Sequence, residues 1–125
     1  MQDIIEQWLK NKIEKKEISE YLLNDNIHTV IIYGAGKLGE MLYDDLCNYQ
    51  AIRVECFIDK YADSLYYGID DMDILNLNEL EQIQPVDAII ITPYLEFENI
   101  VRSLQSRIKF QTKYIAFDEI IWKVE

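Results

Sequence analysis

The residues best placed to do chemistry fall in two short stretches. Gly34-Ala35-Gly36-Lys37-Leu38-Gly39 has the spacing G-x-G-x-x-G, and an acid, Asp59, follows Gly39 by twenty residues. A glycine pattern of this kind is weak alone, since many chains carry one by chance. Its setting makes it informative. The β-branched run Thr29-Val30-Ile31-Ile32-Tyr33 precedes it, and Met41, Leu42 and Leu46 follow at helical spacing. In such a strand–loop–helix turn the first glycine allows the sharp bend. The second lets a phosphate approach the backbone, and the third lets helix and sheet pack closely. N–H groups and the dipole at the helix start then bind a pyrophosphate. Asp59 ends the run Arg53-Val54-Glu55-Cys56-Phe57-Ile58, where a carboxylate can accept from ribose hydroxyls.

Gly34, Gly36, Gly39 and Asp59 are therefore the leading candidates for binding a nucleotide, with Ala35 and Leu38 contributing loop backbone. Lys37 inside the loop can reach a phosphate or simply point to solvent. Lys60, beside Asp59, can neutralise a 2′-phosphate. Ligands of open α/β sheets bind at the carboxyl ends of the strands beside the switch point. Thr92 and Pro93, which end the run Ala88-Ile89-Ile90-Ile91, are thus further lining candidates, with Tyr94 next to them. The Thr92 hydroxyl can donate to a ligand oxygen or be satisfied by local backbone. Asp63, Tyr66 and Tyr67, on a loop after the second strand, can close over a base or pack on the surface. Tyr33 reads as core. A purely structural turn is the alternative for the glycines themselves.

Other chemistries find less support. His28 precedes the first strand, at the end of the sheet opposite the crevice, and is the only histidine. Cys47 and Cys56 are nine apart, without redox or zinc spacing, and read as small hydrophobes in a reducing compartment. There is no G-x-S-x-G, no H-E-x-x-H and no EF-hand loop, so no metal is expected and no catalytic residue can be assigned.

The elements that must hold these residues are legible from pattern. The chain of 125 residues suits one domain. Ile4, Ile5, Trp8, Leu9 and Ile13, then Ile18, Tyr21, Leu22 and Leu23, mark two short helices or one bent helix. Asn24-Asp25-Asn26 should stop it. Residues 1–26 thus read as a helical extension that docks on the sheet edge, caps the sheet or mediates self-association. Residues 27–125 read as the nucleotide-binding domain. Five strands are expected: Thr29–Tyr33, Arg53–Ile58, Ile74–Leu75, Ala88–Thr92 and Tyr114–Phe117. Between them the pattern predicts a helix over Glu40–Tyr49, a short one over Asn78–Ile83 capped by Asn78, and one along Phe97, Ile100, Val101, Leu104 and Ile108. Asp118 should cap a last helix through Trp122. Gly68 is the expected turn in the tyrosine- and acid-rich loop after Asp59. Strands alternating with helices imply an α/β, Rossmann-like, doubly wound parallel sheet of order 3-2-1-4-5.

Charge narrows the partners. Twelve Lys+Arg against 23 Asp+Glu give −11, a field of the wrong sign for DNA, RNA or an anionic membrane. Donors within a few ångströms of a bound phosphate still outweigh distant charge, which salt screens over about 8 to 10 Å. No apolar run approaches the roughly 18 residues of a membrane span, and Asp3 and Glu6 stand where a signal peptide would be basic. A cytoplasmic protein without membrane insertion is the expectation.

Tyr33-Gly34-Ala35-Gly36-Lys37-Leu38-Gly39, Cys56-Phe57-Ile58-Asp59-Lys60, Tyr67-Gly68-Ile69 and Val86-Asp87-Ala88-Ile89-Ile90-Ile91-Thr92 together resemble one module. It is the small Rossmann domain of bacterial polysaccharide-biosynthesis proteins, as in nucleotide-sugar dehydratases or epimerases and sugar acyltransferases; related domains are appended to some sugar methyltransferases. The resemblance spans Ile27 to Phe117. It implies NAD(P), CoA or a UDP-sugar in the crevice, with Gly34, Gly36, Gly39 and Asp59 matching the binding pattern. The chain stops with the module, so a nucleotide or nucleotide-sugar binding role beside a partner enzyme is expected. Two alternatives stay open: a minimal NAD(P)-dependent oxidoreductase or epimerase subunit acting on a nucleotide-sugar, and a structural or oligomerising domain.

Overall fold

The computed structural model describes residues 3–62 and 72–123. The β-branched run forms β1 (Thr29–Tyr33), joined by β2 (Arg53–Ile58), β3 (Ile74–Leu75), β4 (Ala88–Ile91) and β5 (Lys113–Ala116). All pair in parallel in the order β3-β2-β1-β4-β5, as the alternation of strands and helices predicts. β1 lies at the centre with β4 beside it, and every residue of β4 is buried, which is why both read as continuous apolar runs rather than alternating ones.

Alternate side chains feed two cores. On one face Val30, Ile32, Phe57, Ala88, Ile90 and Ile115 meet Leu42 and Leu46 of α3 (Lys37–Leu46) and Phe117, Ile120 and Ile121 of α5 (Phe117–Lys123). On the other, Ile31, Tyr33, Ile58, Ile89 and Ile91 meet Leu80, then Ile100 and Leu104 of α4 (Phe97–Gln105), and Ile108 beyond its end. The sheet is thus covered on both faces, and the carboxyl ends of β1 and β4 mark the point where the chain changes sides.

The N-terminal segment forms two helices, α1 (Ile4–Ile13) and α2 (Ile18–Asn24). Asp3 caps α1 by accepting from the Ile5 N–H at 2.9 Å. Lys15 and Asn26, with φ of 62° and 60°, turn the chain after each helix. Trp8, Ile18 and Leu22 belong to the α3/α5 core, so the extension is continuous with the body of the domain. Of the apolar side chains there, Trp8 and Leu22 are buried and Tyr21 is half-buried; Ile5, Leu9 and Ile13 remain exposed.

Some boundaries differ from the sequence pattern. Over Asn78–Ile83 only a single 3-10 turn forms, Leu80–Gln82. Its N-cap position is Glu79, which makes no side-chain cap bond, so Asn78 is not a cap. In the turn before it Asn76 Oδ1 accepts from the Asn78 N–H at 2.8 Å and Glu79 accepts from the Asn76 N–H at 2.9 Å. α5 starts at Phe117 directly after β5, because the ring must enter the core beside Trp8. Asp63, Tyr66, Tyr67 and Gly68 lie outside the described residues. No helix among the described residues is long and apolar enough to cross a membrane.

Candidate functional site

The hydrogen-bond ladder runs one residue past each central strand and so sets the candidate residues side by side. Gly34 N–H donates to the Ile58 carbonyl at 2.7 Å, Asp59 N–H to the Leu75 carbonyl at 2.9 Å, and Thr92 N–H to the Tyr33 carbonyl at 3.0 Å. The glycine loop, Asp59 and Thr92 therefore share the carboxyl edge of the sheet.

The three glycines differ in what demands them. Gly34 has φ +100°, a region L side chains rarely adopt. An added Cβ there would also lie 2.3 Å from Thr92 Oγ1 and 3.0 Å from Pro93 Cδ. At Gly39 a Cβ would lie 1.9 Å from the Gly34 carbonyl oxygen, so α3 can sit this close to the loop only without one. Gly36 is different. It is exposed, it caps α3 with φ −81° and ψ −161°, and a Cβ built on it meets nothing within 4 Å. The packing of the described residues requires glycine at Gly34 and Gly39 and does not require it at Gly36.

Asp59 does more than face the crevice. Its Oδ2 accepts from the Ala35 N–H and its Oδ1 from the Tyr61 N–H, both at 2.8 Å. The first bond ties the loop to the end of β2; the second is an Asx turn that starts the next loop. Each carboxylate oxygen keeps lone-pair capacity for a further donor. The Ala35 amide is occupied by Asp59, so the donors left at the loop are those at the start of α3. The first intrahelical bond runs from Glu40 N–H to the Gly36 carbonyl at 3.0 Å. The Lys37, Leu38 and Gly39 N–H groups precede it and have no acceptor within the helix.

The remaining candidates divide. Lys37 and Lys60 are exposed, the Lys60 ammonium 5.1 Å from the Tyr61 ring centroid. Leu38 is half-buried against the core, and Pro93 is exposed beside Gly34. Thr92 is buried, and its hydroxyl donates to the Tyr33 carbonyl at 2.9 Å, with the Gly34 carbonyl at 3.4 Å. Of its two readings, local backbone satisfaction is the one realised. Tyr33 is buried in the core; burial first, then the Asp59 charge, pushes its hydroxyl above the ordinary tyrosine range. His28 is exposed at the far edge, where its backbone N–H donates to Asp87. Cys56 is buried and Cys47 exposed. Among the described residues no group of three or more His, Cys, Asp and Glu side chains is placed to hold a metal ion.

Sequence reasoning missed the Ala35–Asp59 bond, which joins residues 24 apart in the chain. It also missed the Asp59 to Tyr61 turn, although an Asp at a strand end is a local signal for one. The candidate residues lie at the carboxyl edge of the sheet; a cavity of about 450 Å³, lined by Asp87, Ile108, Lys113 and Tyr114, lies at the amino ends of β4 and β5.

Residues 26–116 match the family model described as C2185-like, N-terminal. The matched span holds all five strands, the glycine loop and Asp59, and leaves out α1, α2 and α5. No curated protein matches the chain.

Proposed function

For a chain that belongs to the C2185-like N-terminal family, we propose a nucleotide-binding function in which the glycine loop holds the diphosphate of NAD(P) or of a nucleotide-sugar such as a UDP-sugar. The observation that carries the reading is Gly36. Among the described residues, a glycine with ordinary φ and open space above it has no role in packing. A ligand phosphate lying against the backbone at a helix start does need that space. The N–H groups of Lys37, Leu38 and Gly39 supply donors, and Lys37 adds a positive charge at the rim. Asp59 serves twice, fixing the loop through Ala35 and offering its free lone pairs to a ribose. Its charge also repels a 2′-phosphate, so NAD should bind better than NADP unless Lys60 swings in. Joined to the resemblance to polysaccharide-biosynthesis domains, the reading becomes a nucleotide or nucleotide-sugar module that serves a partner enzyme in making bacterial surface polysaccharide.

The test is a thermal-shift panel of NAD, NADP, UDP-sugars, CoA and S-adenosylmethionine on the wild-type chain. A ligand that binds only the folded state, at 100 times its dissociation constant, adds about 2.7 kcal/mol. At roughly 4 °C per kcal/mol for a chain of this size, that is a rise of about 10 °C. No shift with any diphosphate nucleotide would remove the reading, and a larger shift with NADP than NAD would remove the role given to Asp59.

A further inference from the structure

Helix α1 carries two apolar stripes, and only one is used. Ile4 and Trp8 turn inward. Trp8 packs edge-on to Phe117 with ring centroids 5.0 Å apart and donates its Nε1–H to Asp45 at 2.9 Å. Asn11 donates to the Ile121 carbonyl at 2.7 Å, and the Lys12 ammonium joins Glu17 at 2.6 Å and Asp45 at 3.0 Å. These bonds fix the rotation of the helix. Ile5, Leu9 and Ile13, spaced i, i+4, i+8, are thereby held outward, 43%, 61% and 74% exposed. Ile5 and Leu9 continue into a groove of about 380 Å³ between α1 and α3, with Met41, Asp44 and Asn48 on its other wall. Docking on the sheet needs one apolar stripe; a second, held rigidly toward solvent, marks an interface.

We infer that this stripe is the contact of a twofold dimer, with α1 of one copy packed antiparallel on α1 of a second. The charges beside the stripe select that occupant. Glu6 and Lys10 lie on one flank, before and after Leu9, both exposed and in no ion pair among the described residues. A twofold axis at Leu9 sets Leu9 on its own copy, Ile5 against Ile13, and Glu6 of each copy beside Lys10 of the other. A parallel twofold pairing would carry this flank to opposite sides of the seam in the two copies, so Glu6 of one could not meet Lys10 of the other. Rows of i, i+4 side chains pack with a crossing angle near −50°, which suits three residues centred on one contact. The interface is small and each chain carries −11, so the dimer is a weak one, in the micromolar range. The inference rests on α1 and is independent of the glycine loop.

Sedimentation of the full chain under reducing conditions, from low to high micromolar, tests it. A reversible monomer–dimer equilibrium is expected. Leu9→Glu sets two carboxylates face to face across the axis and removes two apolar contacts, so it should weaken the dimer at least about 100-fold. Its circular dichroism should not change, because Leu9 is exposed in the single chain. Lys10→Glu should weaken association about tenfold, and Glu6→Lys with Lys10→Glu should restore it. A wild type that stays monomeric at high micromolar concentration, a dimer indifferent to Leu9→Glu, or a double swap as weak as the single one each overturns the proposal.

Discussion

Replacing each loop glycine by alanine should split the three positions by stability. At Gly39 the new Cβ falls 1.9 Å from the Gly34 oxygen and 3.0 Å from the Gly34 carbonyl carbon, both backbone atoms that cannot swing aside. Van der Waals contact begins near 3.4 Å, so helix and loop must separate by more than an ångström. Overpacking of this severity costs about 3 kcal/mol, the top of the usual range. Gly39 lies within α3, where alanine returns about 1 kcal/mol of helix propensity. The net is a loss of about 2 kcal/mol, a fall in Tm of about 8 °C. Gly34→Ala adds a positive-φ penalty to its clash with Thr92 and should lose about 3 kcal/mol. Gly36→Ala has neither problem. A weaker N-cap and a stiffer unfolded chain nearly offset each other, so its Tm should stay within about 2 °C of wild type. Scanning calorimetry of the three variants is the assay. A neutral Gly39→Ala, or a Gly36→Ala as damaging as Gly39→Ala, would refute the reasoning.

Three further outcomes follow from the packing. Trp8→Phe keeps the ring against Phe117 but removes the bond to Asp45, and should lower stability by about 2 kcal/mol with an unchanged urea m-value. Asp87 is held below its ordinary pKa of 3.8, chiefly by the His28 backbone N–H and then by Thr29. Its stabilisation is complete above that pKa and is lost as pH falls through the lower folded value. Asp87→Asn should therefore be less stable at neutral pH, and the gap from wild type should close in acid, as urea midpoints from pH 7 to pH 2 would record. Burial pushes the Cys56 thiol up to about 12, with Asp73 and Glu55 adding to it, whereas Cys47 is exposed. Iodoacetamide at mildly alkaline pH should label Cys47 and spare Cys56 in the folded chain, read by peptide mass spectrometry.

The sheet was legible because its central strands are buried on both faces. A run such as Ala88-Ile89-Ile90-Ile91 between polar turns has few other uses, and strands alternating with helices leave few topologies. The loop glycines were legible for the same reason: spacing and setting are local. What pattern alone left open depends on contacts between distant residues. Whether Trp8 faced solvent or core was decided by Asp45 and Phe117, 37 and 109 positions away. Thr92 went to the backbone because Gly34 bends beneath it, and Asp59 took the Ala35 amide because the ladder brings β2 beside the loop. The distinction among the glycines, Gly36 unneeded by the packing of the described residues and the other two needed, is likewise a tertiary fact.

The central claim, that the space above Gly36 receives a phosphate, is tested most directly by calorimetric titration of wild type and Gly36→Val with NAD and UDP-sugars. The extended backbone at Gly36 accepts a β-branched residue, so the variant should keep the circular dichroism of the wild type. The account predicts saturable binding of at least one of these ligands to the wild type and none to the folded variant. Equal affinity in a folded Gly36→Val, or no binding of any of them to the wild type, would contradict it.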